Sequence, residues 1–273
     1  MIVFPFAKIN LGLQVLHKRS DGFHAVRSIL FPVPLHDALE AVVDDNLPAG
    51  TVFLDRTGLD VPGALEEDLC MKAVRRIQAR RDLPGLRMHL HKAIPTGSGL
   101  GGGSSDAAHT LILLNDLLGL AMPHAELHAI ASELGSDCPF FLQRSAQLAE
   151  GRGEVLFPIH VHLSGHWLGL VNPGIHVATT EVYQGMHLVE NHGILSELIQ
   201  ARPSTWQSAI FNDMEEFVFE KHPAIGKVKQ DLMDKGATYA AMSGSGATVF
   251  GIFPEKPTDL KFPVEYGLWL YPL

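Results

Sequence analysis

Cysteine is nearly absent. Cys70 and Cys138 are the two thiols in 273 residues, far apart and in no CxxC pair. A disulfide framework is excluded, and the two read as packing cysteines of a reduced, intracellular protein. Long apolar runs are missing as well. No uninterrupted apolar stretch reaches about 18 residues, so no membrane-spanning helix is expected. The opening "MIVFPFAK", interrupted by Pro5 and Lys8, is too short for a signal peptide. Positive charge is not in excess: 21 Lys and Arg stand against 30 Asp and Glu, a net charge of -9. That balance argues against nucleic acid as a partner and leaves room for a phosphorylated small molecule met by a local cluster. The expectation is a soluble cytoplasmic protein that binds neither nucleic acid nor membrane.

Histidine is the residue in surplus, with fifteen copies. The pairs "HLH" (His89, His91) and "HVH" (His160, His162) have the spacing of alternate strand positions, not that of HExxH or CxxC sites. They read as surface or strand-face histidines, and no transition metal is expected.

Glycine is concentrated in one place, "PTGSGLGGGSSDAA" at 95–108, between a strand-like run "LRMHLHKAI" and a helix-like run with Ala107, Ala108, Leu111, Leu114, Leu117 and Leu118 on one face. A flexible connector does not end in an amphipathic helix with two candidate caps, Ser104 and Ser105. Gly97, Gly99 and Gly102 spell GxGxxG, but Pro95 and Thr96 separate them from the strand, and the acidic residue a dinucleotide turn needs about 20 positions later has no candidate. The third reading is a phosphate cradle. Bare amides of Gly101, Gly102 and Gly103 and the unpaired N–H groups of a helix start converge on an anion. No GK[ST] closes the loop and no HRD or DFG is present, so it is neither a Walker loop nor a protein kinase.

The rest of the chain supplies strands at "VFPFAKINLGLQVLHK", "FHAVRSILFPV", "ALEAVVDD" and "TVFLD", then a helix at "EEDLCMKAVRRIQARR". A second helix runs from about Pro123 to Leu134 and delivers the loop "SDCPFF", and "AQLAEGRGEVLFPI" reads as a hairpin. Beyond about residue 151 come the strand "HWLGLVNPG", helical "TTEVYQGM" and "GILSELIQA", a helix pair broken at Pro223, two strands around "SGSG" and a last strand "YGLWLYPL". This is an α/β (α+β) chain with two expected domains, 1–150 and 151–273.

Several residues stay ambiguous on their own. Lys8 sits inside an apolar strand and needs an anionic partner if it points inward, or faces water on an edge. Asp137 is a base or a turn aspartate; Asp68 is an adenine contact or a helix N-cap. Lys92 pairs with phosphates or is a strand-end surface lysine.

Three segments in order, "PFAKINLGLQVLHKRSDGFHAV" (5–26), "PTGSGLGGGSSDAA" and "MSGSGATVFG" (242–251), resemble the motifs of the galactokinase, homoserine kinase, mevalonate kinase and phosphomevalonate kinase (GHMP) superfamily. Finer features, Ala7–Asn10, Arg19–His24, Gly135–Phe141 and Pro173–Tyr183, resemble the branch whose acceptor is cytidine diphosphate methylerythritol. The resemblance implies a two-domain GHMP kinase fold, with an N-terminal ribosomal-protein-like β-α-β domain and a C-terminal ferredoxin-like domain around an active cleft. It implies ATP and Mg2+, phosphorylation of an alcohol, and a monomer or weak homodimer. It implies Lys8 and Asp137 as the catalytic pair. ATP would be held by Pro95, Thr96, Gly97, Ser98, Gly99, Leu100, Gly101, Gly102, Gly103, Ser104, Ser105, Lys92 and Asp68. The other substrate would be held by Asn10, Phe23, His24, Thr179, Tyr183, Gly244 and Gly246. A sister kinase of homoserine or mevalonate type, or a non-catalytic ligand-binding member, are the alternatives.

Overall fold

The computed structural model describes residues 1–189 and 192–273. The chain opens with β1 (Ile2–Val3), and Pro5 separates it from the long β2 (Phe6–Lys18). There follow β3 (His24–His36), β4 (Ala38–Val43), β5 (Val52–Gly58), α1 (Leu69–Gln78), β6 (Leu86–Lys92), α2 (Gly102–Leu117) and α3 (His124–Leu134). The hairpin β7 (Gln147–Glu150) and β8 (Val155–Pro158) leads to β9 (Trp167–Asn172), α4 (Thr179–Gly185) and the single turn α5 (Leu195–Leu198). Last come α6 (Glu215–Lys221), α7 (Pro223–Asp234), β10 (Tyr239–Met242), β11 (Val249–Phe253) and β12 (Gly267–Pro272). Pro223 opens α7 at a position where its missing N–H costs nothing, and so separates two helices.

Packing divides the chain into two units that interleave in sequence. One comprises residues 1–7, 33–96 and 101–144, the other 8–32, 97–100 and 145–273. The expected boundary at residue 150 lies close to the last crossing; the earlier crossings fall inside β2, β3 and the glycine loop, where composition does not change.

In the first unit, one sheet has the order β1-β4-β6-β5, with β5 parallel to β6 and the other pairs antiparallel. Leu39, Ala41, Leu86, Met88 and Leu90 point from it onto Cys70, Val74 and Ile77 of α1, Leu111 and Leu114 of α2 and Ile130 of α3. The expected apolar stripe of α2 is too narrow a description. Residues 105–111 are all buried, Asp106, His109 and Thr110 among them, because α2 is flanked by α1, α3 and the short turn Cys138–Leu142. Both cysteines lie free in this core. Burial pushes the Cys138 thiol up to about 12, so neither is a nucleophile at neutral pH.

The second unit holds two antiparallel-built sheets, in the orders β2-β3-β7-β8 and β10-β11-β9-β12. Val171, Ala240 and Val249 meet Val218 of α6 and Ile225, Val228 and Leu232 of α7. His89 and His91 do sit at alternate positions of β6, where both contact the Thr57 hydroxyl. His160 and His162 lie in coil beyond β8, because Pro158 ends that strand. Among the described residues no three His, Cys, Asp or Glu side chains cluster as a metal site.

Candidate active site

The glycine loop takes its shape from backbone that only glycine adopts without strain. Gly97, Gly99 and Gly101 have φ of 64°, 79° and 73°. A Cβ on Gly99 would lie 1.9 Å from the Ser243 carbonyl oxygen, so the 97–100 segment and the "SGSG" turn touch backbone to backbone. Further bonds fasten this contact: Thr248 N donates to Ser98 O (3.0 Å), Ser243 Oγ donates to Gly99 O (2.8 Å) and Lys8 N donates to Leu100 O (2.9 Å).

The N-cap of α2 is Gly101 and offers no side chain. Ser104 and Ser105, expected as caps, lie inside the first turn. The N–H groups of that first turn are those a helix cannot satisfy internally, and they carry the positive end of the helix dipole. Ser105 is turned inward: it is wholly buried, its N–H donates to Gly101 O and its carbonyl meets His109 Nδ1.

Beneath the loop lies a buried charge cluster. Lys92, 3% exposed, is bound to Asp37 and to Asp106 Oδ2 (2.6 Å), and Asp37 Oδ1 also accepts from Ala93 N and Ile94 N. Lys92 is therefore no surface lysine, and pairing it with a phosphate would mean leaving a carboxylate. Two acids face one ammonium, so one acid keeps its proton. Burial first, then the neighbouring Asp37, pushes the Asp106 carboxyl up to about 8 against the pull of Lys92. A Cβ on Gly102 would come within 3.2 Å of Lys92 Nζ, so the cluster presses directly on the helix start.

Lys8 points inward, 3% exposed, and its ammonium donates to Asn10 Oδ1 (2.6 Å). Asn10 Nδ2 donates to Ser28 Oγ (2.8 Å), and Ser243 Oγ approaches Asn10 Oδ1 at 3.4 Å. Asn10, expected to bind substrate, thus spends its amide inside the protein. Gly244 packs beside it with φ 57°, and Thr179 Oγ1 meets Ser245 Oγ (2.7 Å) next to Gly246. Three asparagine and threonine side chains hold this turn: Asn212 Nδ2 donates to Met242 O and Gly244 O (both 2.8 Å), and Asn172 Nδ2 donates to Thr248 Oγ1.

At the other end of β2–β3, His24 lies flat against Tyr183, ring centroids 4.8 Å apart at 11°. Phe23 is 56% exposed, with the Arg152 guanidinium 5.0 Å from its ring centre. Of the three ring side chains expected at the other substrate, His24 itself covers a face of Tyr183. Burial lowers the His24 pKa, with help from Lys18, so the ring is neutral at pH 7.

Asp137 is half-buried at the start of the turn Cys138–Leu142, whose Pro139, Phe140 and Phe141 are buried. Asp68 is the N-cap of α1: Oδ1 accepts from Cys70 N (2.8 Å) and Oδ2 pairs with Arg56 (3.1 Å).

The family models described as GHMP kinases N terminal domain and GHMP kinases C terminal match residues 68–144 and 194–261. A 4-diphosphocytidyl-2-C-methyl-D-erythritol kinase from Cytophaga hutchinsonii is 45% identical over 94% of this chain and 94% of its own. One from Parabacteroides distasonis is 46% identical over 96% and 94%. The crystal structure of a 4-(cytidine 5'-diphospho)-2C-methyl-D-erythritol kinase superposes with a TM-score of 0.78 at 30% identity, covering 94% and 91%. The chain belongs to the 4-diphosphocytidyl-2-C-methyl-D-erythritol kinases of the GHMP family. It has the two-domain GHMP kinase fold and is an enzyme that phosphorylates an alcohol, with ATP as cosubstrate.

Within this kinase, sequence reading missed the residues that hold others in place. Ser28, Asp37, Asp106, Asn172 and Asn212 are small polar side chains, each 6% exposed or less. Their signal was available: each interrupts or borders an apolar run, as Ser28 does in "AVRSILF" and Asp37 in "VPLHDALE".

Two outcomes follow for the loop. Gly99→Ala is expected to weaken ATP binding by about tenfold or more, since an alanine there is strained both by its φ and by Ser243; calorimetric titration measures it, and unchanged affinity would refute the backbone contact. Asp106 has a raised native pKa, so its contribution to stability is complete at low pH and is lost as pH rises through about 8. The melting temperature should therefore fall between about pH 4 and 8, and Asp106→Asn should flatten that fall.

Proposed function

We propose that this chain transfers the γ-phosphoryl group of ATP to the 2-hydroxyl of 4-diphosphocytidyl-2-C-methyl-D-erythritol, a step in non-mevalonate isoprenoid precursor synthesis. What carries the reading is likeness to kinases of that name along more than nine-tenths of both chains. Phosphoryl transfer asks the protein to position two oxygens in line with phosphorus and to stabilise charge on the transferred group. The first-turn amides of α2 and the segment 95–103 are proposed to hold the polyphosphate, with Ser104 as the hydroxyl donor. Asp137 orients the acceptor hydroxyl and takes its proton, and the Lys8 ammonium supplies positive charge for the reacting groups. Phe23, His24 and Tyr183 are assigned to the cytosine, where stacking on a ring contributes about 1–3 kcal/mol. Thr179, Gly244 and Gly246 are assigned to the remaining substrate groups, and Asp68 is assigned to adenine in addition to capping α1.

Magnesium is proposed to enter with the nucleotide. Among the described residues, the buried carboxylate oxygen without a hydrogen-bond partner is Asp106 Oδ1, but Lys92 sits against the same carboxyl and opposes a second cation. The site's own residues do not make a cation cage there. Mg2+ is commonly held through phosphates and water instead.

Asp137→Asn should lower kcat by on the order of a hundredfold or more while ATP affinity changes little. A coupled assay with the cytidylylated alcohol measures this, beside homoserine and mevalonate as competing acceptors. Full turnover in the variant would remove Asp137 from its role, and equal turnover of the three alcohols would remove the substrate assignment.

A further inference from the structure

We propose that Ser28 is a positioning residue for the Lys8 ammonium, acting through the side-chain amide of Asn10. The proposal rests on the catalytic reading of Lys8 given above. Ser28 lies on β3, 3% exposed, and its hydroxyl makes two bonds whose directions fix each other. It donates to the Gly12 carbonyl at 2.6 Å. A hydroxyl has one proton, so toward Asn10 Nδ2, 2.8 Å away, Ser28 is an acceptor. That decides which way the amide faces. With Nδ2 committed to Ser28, Oδ1 is presented to Lys8 Nζ at 2.6 Å, with the Ser243 hydroxyl at 3.4 Å.

The reversed amide would set an NH2 group against an ammonium, donor against donor, where Lys8 is 3% and Asn10 4% exposed. Water cannot relieve such a clash in a buried place. The receiving end is fixed as well. Gly12 has φ 80°, and a Cβ there would fall 2.7 Å from Ile210 Cγ2 and 2.8 Å from Leu195 Cδ1. The carbonyl that takes the Ser28 proton therefore belongs to a backbone bend reserved for glycine. From Gly12 through Ser28 and Asn10 to Lys8, each group leaves the next a single orientation. A lysine side chain has many rotamers, and this chain selects the one that places its charge.

Steady-state kinetics of the full-length protein with ATP and the cytidylylated alcohol test the proposal, using Ser28→Ala, Ser28→Thr and Lys8→Ala, with thermal melting of each. Ser28→Ala should lose about tenfold in kcat, the worth of one misplaced hydrogen bond, with KM for ATP within about twofold. Ser28→Thr keeps the hydroxyl and should recover most of that loss. A scaffold role alone would lower the melting temperature and leave kcat of the folded enzyme unmoved. Should Ser28→Ala not fold, Ser28→Thr is set against Ser28→Cys, a poor acceptor of similar size, and the same kcat difference is expected between them. Wild-type kcat in Ser28→Ala, or failure of threonine to restore it, overturns the proposal. Lys8→Ala separates the two levels: turnover surviving there refutes the catalytic reading of Lys8, while turnover lost there and kept in Ser28→Ala refutes the role of Ser28 alone.

Discussion

A side chain at Gly99 would place its first carbon on top of the Ser243 carbonyl oxygen, and the structure around the candidate site depends on that position being bare. Two glycine-rich segments, 97–100 and 243–247, lie backbone against backbone and exchange hydrogen bonds through Ser98, Ser243 and Thr248. Apart from Leu100 and Ala247, the side chains of the two segments are serine hydroxyls and bare glycines. The N–H groups and dipole at the start of α2, proposed above to hold the polyphosphate, suit it because they carry fixed partial charge and need no rearrangement.

The charged groups nearby divide by environment. Lys92 is neutralised internally by Asp37 and Asp106, an arrangement that contributes little net stability but is expensive to break, about 3–5 kcal/mol if one partner is removed. Lys8, equally buried, is bound to the neutral Asn10 amide rather than to a carboxylate in that contact. In that contact the amide oxygen orients the ammonium. Lys8 lies in a largely apolar strand and Lys92 ends a strand that alternates Leu and Met with Arg and His, so the partners folding brings to them are not evident from the local sequence.

Much of the fold was legible because it is written in local patterns. The expected strand runs became β2, β3, β6 and β9, and the break at Pro223 separated α6 from α7. The short strand Ile2–Val3 and the turn Pro203–Ser208 escaped because neither is long enough to show a period. The burial of α2 on nearly all sides escaped for another reason: Asp106, His109 and Thr110 look solvent-facing until Lys92 and the Ser105 carbonyl supply partners. The site was legible where a chemical motif is contiguous, as in the glycine loop. It was illegible where one polar group is held by another far along the chain, as Asn10 is by Ser28, because no sequence period records such a pair.

We place the nucleotide's phosphates on the main-chain amides at the start of α2. A crystal structure with a non-hydrolysable ATP analogue tests this placement most directly. Phosphate oxygens are expected within hydrogen-bond distance of the N–H groups of Gly102, Gly103 and Ser104. Phosphates bound elsewhere, with those amides left to water, would contradict it.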